Sequence, residues 1–251
     1  MIQYKSKNEI ELIRKSGQIL VKVFEELQDR IRPGVSTWEL DHLGESIIRS
    51  AGGVPSFLNY GNPPFPGSIC ASINDEVVHG IPRKDRLLQE GNIISIDVGA
   101  ILNGYHSDAA RTYPVGRISE KARQLIDVTE ACFWKGLEMV RIGNRLGDVS
   151  HAIEEHALAY RYGVVRELTG HGIGKEMHED PDLPNYGKPG RGLRIEEGLA
   201  VAIEPMINMG TRNILMLEDE WTIVTADGEP SSHYENTVGA TAQGPLVLTV
   251  P

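Results

Sequence analysis

The chain has 251 residues, of which 40% are hydrophobic and 24% charged, and its formal net charge is −10. This length suits one large domain or two small ones, and the apolar content is too high for a disordered protein. No apolar stretch approaches the ~20 residues that span a bilayer, which excludes a membrane protein. The acidic balance and the lack of a dense Lys/Arg run argue against nucleic acid as a specific partner.

The N-terminus and the cysteine content both favour the cytosol. Residues 1–7 lack the apolar core and the small-residue cleavage site of a secretion signal. The only cysteines are Cys70 and Cys132, which are too few for a disulfide framework and are typical of a reducing compartment. We therefore expect a cytoplasmic protein.

The first part of the chain predicts two helices followed by strands. Ser6-Lys7-Asn8-Glu9 has the form of a capping box, and apolar residues at helical spacing continue from there to Pro33-Gly34. A second helix is expected from Ser36 or Thr37 to Gly52-Gly53. The expected strands are 68–73, 77–78, 92–102 and 105–115.

The dipeptide Asn103-Gly104 is the strongest short hairpin signal in the chain. A two-residue turn there pairs Gly99 with Asp108, so that Asp97 and Asp108 share one face as diagonal neighbours with Cα atoms ~7–8 Å apart. Two buried carboxylates repel each other, and a cation between them resolves the conflict. The alternative is a solvated pair on an exposed sheet face, but the apolar segment 93–96 favours metal.

The second part of the chain repeats the first. Segment 88–97 aligns with 195–204, and segment 32–42 aligns with 141–151, in the same order and with nearly equal spacing. This pattern predicts an α+β fold of two pseudosymmetric halves, roughly 1–115 and 119–251, within a single catalytic domain that shares one central antiparallel sheet. The further expected elements are helices at 120–140 and 148–162 and strands at 164–168, 199–207, 221–224 and 246–250.

Two further acids join the aspartate pair. Glu204 ends an apolar strand as the repeat counterpart of Asp97, and Glu235 lies in a short strand-like segment. With one histidine, four carboxylates form an oxygen-rich set whose charge balances two divalent cations. These ligand types suit Co, Mn, Fe or Zn ions without choosing among them. The candidate ligands are Asp97, Asp108, His171, Glu204 and Glu235.

Three histidines lie beside glycines after extended segments, namely His79, His171 and His178. Glycine allows the backbone to approach a ligand closely and leaves an imidazole uncovered. A lone histidine is usually structural, and we interpret His151 and His156, on a predicted helix, in that way. Three in such loops favour a functional role.

At these residues the sequence resembles the type I methionine aminopeptidases in their short, bacterial-like form, whose fold is known as the pita-bread fold, with helices on the outer face of the sheet. The resemblance runs almost end to end. It is carried by Asn74-Asp75-Glu76-Val77-Val78-His79-Gly80-Ile81-Pro82, Ile96-Asp97-Val98-Gly99, Asp108, Gly170-His171-Gly172-Ile173-Gly174, His178-Glu179, Ile203-Glu204-Pro205-Met206 and Tyr234-Glu235-Asn236-Thr237.

The resemblance implies a role for each ligand. Asp97 would bind one metal, Asp108 and Glu235 would bridge both, and the other metal would be completed by His171 and Glu204. Glu204 would also shuttle the proton during catalysis.

The resemblance also implies the residues that meet the substrate. His79 would lie near the scissile amide, and His178 would hydrogen-bond the substrate carbonyl and the developing oxyanion. Met177 stands where the family usually has an aromatic residue, so we expect altered affinity rather than lost activity. The methionine pocket would be formed by the 59–70 loop, which contains Phe65 and Cys70, together with Met177 and Trp221.

The activity implied by the resemblance is cytosolic removal of the initiator methionine from nascent chains whose second residue is small. The resemblance leaves open a transient association with the ribosome, and the family default is a monomer. Two alternatives remain. An X-Pro peptidase of the same fold usually carries an additional N-terminal domain, and a non-catalytic peptide-binding paralogue would have lost metal ligands.

Overall fold

The computed structural model describes residues 2–251, which contain four helices and 15 strands. None of these helices has the length and apolar character needed to cross a membrane. The helices are α1 (Lys7–Gln28), α2 (Thr37–Ser50), α3 (Glu120–Glu138) and α4 (Leu146–Ala159). The strands are β1 (Val54–Pro55), β2 (Ile69–Ile73), β3 (Glu76–Val78), β4 (Ile93–Leu102), β5 (Tyr105–Pro114), β6 (Gly163–Val164), β7 (Thr169–Gly172), β8 (Glu179–Pro184), β9 (Ala200–Ile203), β10 (Met206–Asn208), β11 (Ile214–Met216), β12 (Ile223–Thr225), β13 (Ser231–His233), β14 (Glu235–Thr241) and β15 (Gly244–Val247).

The first two helices begin at capping boxes. The Ser6 hydroxyl accepts a hydrogen bond from the Glu9 backbone N–H, and the Glu9 carboxylate accepts one from the Ser6 backbone N–H. Ser36 and Glu39 form the same pair at the start of α2. Each box provides partners for backbone groups that a helix end leaves unsatisfied, so both predicted helix starts are confirmed.

A nine-stranded antiparallel sheet forms the centre of the molecule. Its strands follow the order β1-β4-β5-β14-β9-β7-β8, with β2 paired to β4 and β15 paired to β14. Helices α1 and α2 pack on the part of the sheet built from β2, β4 and β5, whereas α3 and α4 pack on the second half. The predicted fold class, with helices on the outer face of a shared antiparallel sheet, is confirmed.

The two halves repeat the same local contacts. The Gly34 backbone N–H donates to the Leu88 carbonyl at 2.8 Å, and the Gly143 N–H donates to the Ile195 carbonyl at 3.0 Å. Both glycines have a positive φ, 90° and 96° respectively, a conformation that glycine adopts with little strain. These pairs occupy corresponding positions in the aligned segments, so the pseudosymmetry predicted from the sequence is confirmed in the structure.

The hairpin between β4 and β5 has the predicted register. Asn103 and Gly104 both have positive φ values, 53° and 79°, as a type I′ turn requires. Gly99 pairs with Asp108 across the two strands. The predicted juxtaposition of Asp97 and Asp108 is therefore present.

The strand expected over 199–207 is divided in two. Strand β9 belongs to the central sheet, whereas β10 pairs with β13 and β6 in a separate three-stranded sheet. Pro205 lies at the break, and because proline has no N–H to donate, it ends a strand pairing. The division places Glu204 directly after β9, between the two strands, where it belongs to neither sheet.

Gly17, within α1, leaves room for the C-terminal segment. A Cβ atom at this position would lie 2.2 Å from the Leu248 carbonyl oxygen, which is rigid backbone. We expect Gly17→Ala to destabilise the protein by about 1–3 kcal/mol, although alanine favours a helix by about 1 kcal/mol. Urea unfolding measures this change. Gly44→Ala in α2 is the control, because its Cβ would lie 3.0 Å from a side-chain atom, the Ile69 Cγ2, and would not approach a backbone carbonyl oxygen at 2.2 Å. A Gly17→Ala variant as stable as the parent would contradict this interpretation.

Candidate metal centre

Neighbouring strands bring the acids together. Ala110 of β5 pairs with Asp97 of β4 on one side and with Glu235 of β14 on the other, so these two acids lie in one row across the sheet. Asp108 and Glu235 are buried. One carboxylate oxygen each of Asp97, Asp108 and Glu235 is enclosed without a hydrogen-bond partner. Buried, unpaired carboxylate oxygens are costly unless a cation binds them.

His171 presents a bare nitrogen to these acids. Its Nδ1 lies 2.9 Å from the Gly172 carbonyl oxygen, which can only accept a hydrogen bond, so Nδ1 carries the hydrogen of the neutral ring. The other nitrogen, Nε2, is 3.6 Å from Glu204 Oε1 and 4.0 Å from Asp108 Oδ2. A lone pair directed at two carboxylates is unfavourable without a cation and is the arrangement of a metal ligand.

The donor set fits divalent metal ions. Ligand atoms of Asp108, His171 and Glu235 all lie within 4.8 Å of one another. Asp97 and Glu204 flank this group, and each is in electrostatic contact with Asp108. Four carboxylates and one imidazole suit a pair of divalent cations of the Mn, Fe, Co or Zn type, because the charges balance.

Enclosure changes the pKa of these groups in the metal-free protein. Burial raises the pKa of Asp97 to about 7. The other three acids are Asp108, Glu204 and Glu235. Burial and neighbouring carboxylates raise the pKa of each well above the ordinary value of its carboxyl group. Burial lowers the pKa of His171 to about 4. Each shift reflects the cost of holding a charge in this enclosed site.

These shifts predict how the stability of the metal-free protein depends on pH. In the folded protein, acids with a raised pKa keep their protons at a pH where the unfolded chain has already released them. The free energy of unfolding therefore decreases as the pH rises above about 4. Histidines with lowered pKa act in the opposite direction, but only below about pH 6.5, where an unfolded histidine takes up a proton. We therefore expect the melting temperature of chelator-treated protein to fall as the pH rises above about 6.5 and through the Asp97 pKa of about 7.

Metal-loaded protein, measured by differential scanning calorimetry over the same range, is the control and should show a shallower fall, because the bound cations favour the ionised acids. In the metal-free state, Asp97→Asn should also make the melting temperature fall less steeply with pH, because the substitution removes one titrating carboxyl group. Equal slopes for metal-free and metal-loaded protein would contradict the assignment.

A cavity of about 130 Å³ opens beside the acids. Every residue predicted for the site lines it, and none of them lies elsewhere. One wall is apolar and includes an edge-to-face pair of Phe65 and Trp221, with ring centroids 5.2 Å apart. The Trp221 indole N–H donates to the Pro63 carbonyl at 3.1 Å, which holds the ring in place. The cavity is lined by Phe57, Tyr60, Phe65, Cys70, His79, Asp97, Asp108, His171, Met177, His178, Glu204, Trp221 and Glu235.

His178 lies at the solvent-exposed mouth of the cavity. Its Nδ1 is 2.6 Å from the Tyr60 hydroxyl, and its ring lies 4.3 Å from the His171 ring, centroid to centroid. The loop that carries His178 is fixed by Glu179, whose carboxylate accepts the backbone N–H of Lys175. That carboxylate also forms a buried ion pair with Lys5, so residues close to the N-terminus help to position the loop.

His79 lines the cavity next to the apolar wall. Its φ is 59°, a left-handed backbone conformation that costs energy for a residue other than glycine and is concentrated at functional sites. Its ring lies edge-on to Trp221 with centroids 5.8 Å apart. The strained backbone and the ring contact together fix where this imidazole points.

Two residues at or behind the site, Phe57 and His233, are not predicted from the sequence, and Tyr60 is predicted only as part of the 59–70 loop. Phe57 and Tyr60 line the cavity, and His233 lies behind the acids with its ring nitrogens close to Glu204 and Glu235. Phe57 and Tyr60 lie in or next to a turn-rich segment without a regular pattern. His233 is a single histidine in a polar stretch, so no local signal distinguishes it.

Comparison with known proteins identifies the family of this chain. Residues 11–242 match the model of metallopeptidase family M24. The chain is 52% identical to a methionine aminopeptidase of Clostridium acetobutylicum over 250 residues, covering 100% of this chain and 99% of that protein. The crystal structure of a methionine aminopeptidase from Rickettsia prowazekii matches with a TM-score of 0.97 at 39% identity, and all of both chains is covered.

The X-Pro alternative is less well supported by the same comparisons. An Xaa-Pro dipeptidase of Bacillus anthracis matches with a TM-score of 0.79 at 25% identity, and the match covers 98% of this chain but only 61% of the dipeptidase. The fold is shared, whereas the length and the sequence agree with the aminopeptidases. The chain therefore belongs to metallopeptidase family M24 and, within it, to the methionine aminopeptidases.

Proposed function

We propose that this chain removes the N-terminal methionine from polypeptides whose second residue is small, in a metal-dependent hydrolysis. One observation carries the proposal. The buried acids, His171 and an apolar wall with a thioether and a thiol line one cavity, so a methionine side chain and its scissile amide can be bound together. The full-length similarity to methionine aminopeptidases supports the same substrate.

The proposed ligands divide the work at the metal centre. Asp97 would bind one ion, Asp108 and Glu235 would bridge both ions, and His171 and Glu204 would complete the second. When bound, two divalent ions supply Lewis-acid activation of water and of the scissile carbonyl. The residues themselves would fix the positions of the ions, because four of the five side chains lie on strands of one sheet and the fifth, Glu204, directly follows one.

Proton transfer is assigned to Glu204. Its carboxylate lies at the end of β9, where the backbone leaves the central sheet, and its backbone carbonyl accepts a hydrogen bond from the Asn185 side-chain amide. A carboxylate held beside the scissile bond can accept the proton of the attacking water and deliver it to the leaving amine.

Two histidines are assigned to the substrate backbone. Because Tyr60 occupies Nδ1 of His178, Nε2 is the nitrogen available to donate a hydrogen bond to the scissile carbonyl, where negative charge develops. His79 would contact the scissile amide. The apolar wall of Phe65, Cys70 and Met177, closed by Trp221, would receive the methionine side chain.

We also infer the cellular setting from the family. The substrates are the N-termini of nascent chains, encountered in the cytoplasm, where transient contact with the ribosome would bring enzyme and substrate together. Bacterial relatives of the same length and two free cysteines support this setting. The chain would act as a monomer with a single catalytic domain.

The proposal is tested by the release of methionine from a Met-Ala-Ser peptide. Metal-stripped protein is titrated with Mn, Co, Fe or Zn ions, and an X-Pro peptide is measured beside it. We expect metal-dependent release from Met-Ala-Ser and no cleavage of the X-Pro peptide. Cleavage of the X-Pro peptide alone would replace the proposal with the prolidase-like activity. If folded, metal-loaded protein cleaves neither peptide, the non-catalytic binding role is favoured.

A further inference from the structure

A buried histidine lies directly behind the metal-binding acids and is not used by the proposed mechanism. His233, at the end of β13, has only 2% of its surface exposed. Neither of its ring nitrogens has a hydrogen-bond partner. A buried imidazole usually satisfies at least one nitrogen, because leaving both unpaired is costly. The unpaired ring therefore points to a partner among the groups that it faces.

The groups that Nε2 faces are the carboxylates of two proposed ligands. Nε2 lies 3.7 Å from Glu204 Oε2 and 3.9 Å from Glu235 Oε2. Glu204 thus lies between two imidazoles, with Oε1 toward His171 and Oε2 toward His233. His233 does not line the cavity, so its ring approaches the acids from the protein side.

The two imidazoles differ in where the hydrogen resides. In His171 the Gly172 carbonyl binds the Nδ1 hydrogen and leaves Nε2 bare. In His233 no acceptor lies at Nδ1, whereas Nε2 faces two carboxylates. The neutral ring therefore places its single hydrogen on Nε2, where it is stabilised by both acids. His171 is suited to bind a cation, and His233 is suited to donate to the carboxylates that bind it.

The position of the His233 ring is fixed by its backbone. The Thr112 hydroxyl accepts the His233 backbone N–H at 3.0 Å and donates to the His233 carbonyl at 2.8 Å. The same hydroxyl also hydrogen-bonds Ser95 and Ser232. His233 pairs in register with Met206 of β10. A residue held from both its N–H and its carbonyl has little freedom to turn its ring away from the acids.

We infer that His233 is a positioning residue of the metal centre, whose Nε2–H donates to the carboxylates of Glu204 and Glu235 and fixes the oxygens that these acids present to the metals. Groups that orient metal ligands in this way typically change metal affinity 10- to 100-fold when they are removed. The inference rests on the metal centre of the proposed function, and it adds a residue that determines the affinity of that centre.

The test measures metal affinity rather than turnover. Mn²⁺ or Zn²⁺ is titrated into metal-stripped protein in competition with a chelator. We expect His233→Leu to bind the metal about 10- to 100-fold more weakly while still binding the parent number of ions at saturation. His233→Gln, whose side-chain amide also donates, should recover most of that loss. His156→Leu and His156→Gln are the matched controls, because His156 also has an unpaired buried nitrogen but lies on α4, and both should keep the parent affinity.

Three results would overturn the inference. The first is a His233→Leu variant that binds the metal with the affinity of the parent protein. The second is a His233→Gln variant that binds the metal as weakly as His233→Leu does. The third is the loss of one bound ion at saturation, which would make His233 a ligand. If His233→Leu does not fold, nitrogen-15 NMR of the Zn²⁺-loaded parent decides, because a His233 Nε2 without hydrogen excludes the donor role. Failure of the parent protein to bind metal would instead remove the proposed function itself.

Discussion

His171→Ala is expected to abolish metal binding and peptide hydrolysis together. The His171 Nε2 lone pair faces Asp108 and Glu204, and no other side chain described in residues 2–251 offers a bare nitrogen to both. Removing a group that merely orients a ligand costs 10- to 100-fold in metal affinity, so loss of the ligand itself should cost more than about 100-fold. Metal content after dialysis and Met-Ala-Ser hydrolysis at saturating metal measure the two effects.

The control variant is His151→Ala, which removes a histidine of α4 that lies outside the cavity and should change neither quantity. Asp108→Asn is the second test of the same centre. It keeps the size of the side chain but removes one of the charges that the cations balance, so metal binding and turnover should again fall together. Parent turnover in folded His171→Ala would show that His171 is not a ligand.

The sequence predicts the site well where local rules determine geometry. Asn103-Gly104 fixes the register of β4 and β5, because a two-residue type I′ turn permits only one pairing. That register alone brings Asp97 beside Asp108. The internal repeat then identifies Glu204 as the counterpart of Asp97, which no local pattern around Glu204 reveals.

Prediction is weaker where distant segments decide the structure. Strands β7 and β8 are not predicted, since β8 contains Pro181 and Pro184 and reads as a polar loop, yet its pairing with β7 places His171 on a strand rather than in a loop. His233 is missed for the same reason. Its importance comes from acids on other strands, and the spacing of residues near it carries no trace of that contact.

His178→Ala is expected to lower the maximal rate about 100-fold while the metal content stays at the parent value. His178 is exposed and hydrogen-bonded to Tyr60 and is not among the proposed metal ligands, whereas its Nε2 would donate to the scissile carbonyl in the proposed mechanism. Loss of one donor to a developing oxyanion costs about 100- to 1,000-fold in rate, and the lower end suits a donor at a solvent-exposed mouth. Steady-state hydrolysis of Met-Ala-Ser, with metal content measured on the same sample, tests both parts.

Tyr60→Phe separates orientation of the His178 ring from donation by it. The phenylalanine keeps the aromatic wall but loses the hydroxyl that holds Nδ1 at 2.6 Å, so the ring remains present and is held less firmly. A lost hydrogen bond of this kind is worth about 1 kcal/mol, and we expect the rate to fall by about tenfold or less, with KM little changed. In His178→Ala the Tyr60 hydroxyl has no partner left, so adding Tyr60→Phe should cost nothing further. If the two substitutions lower the rate by independent factors that multiply in the double variant, Tyr60 acts on the substrate directly. If the His178→Ala protein binds no metal, His178 is itself a metal ligand.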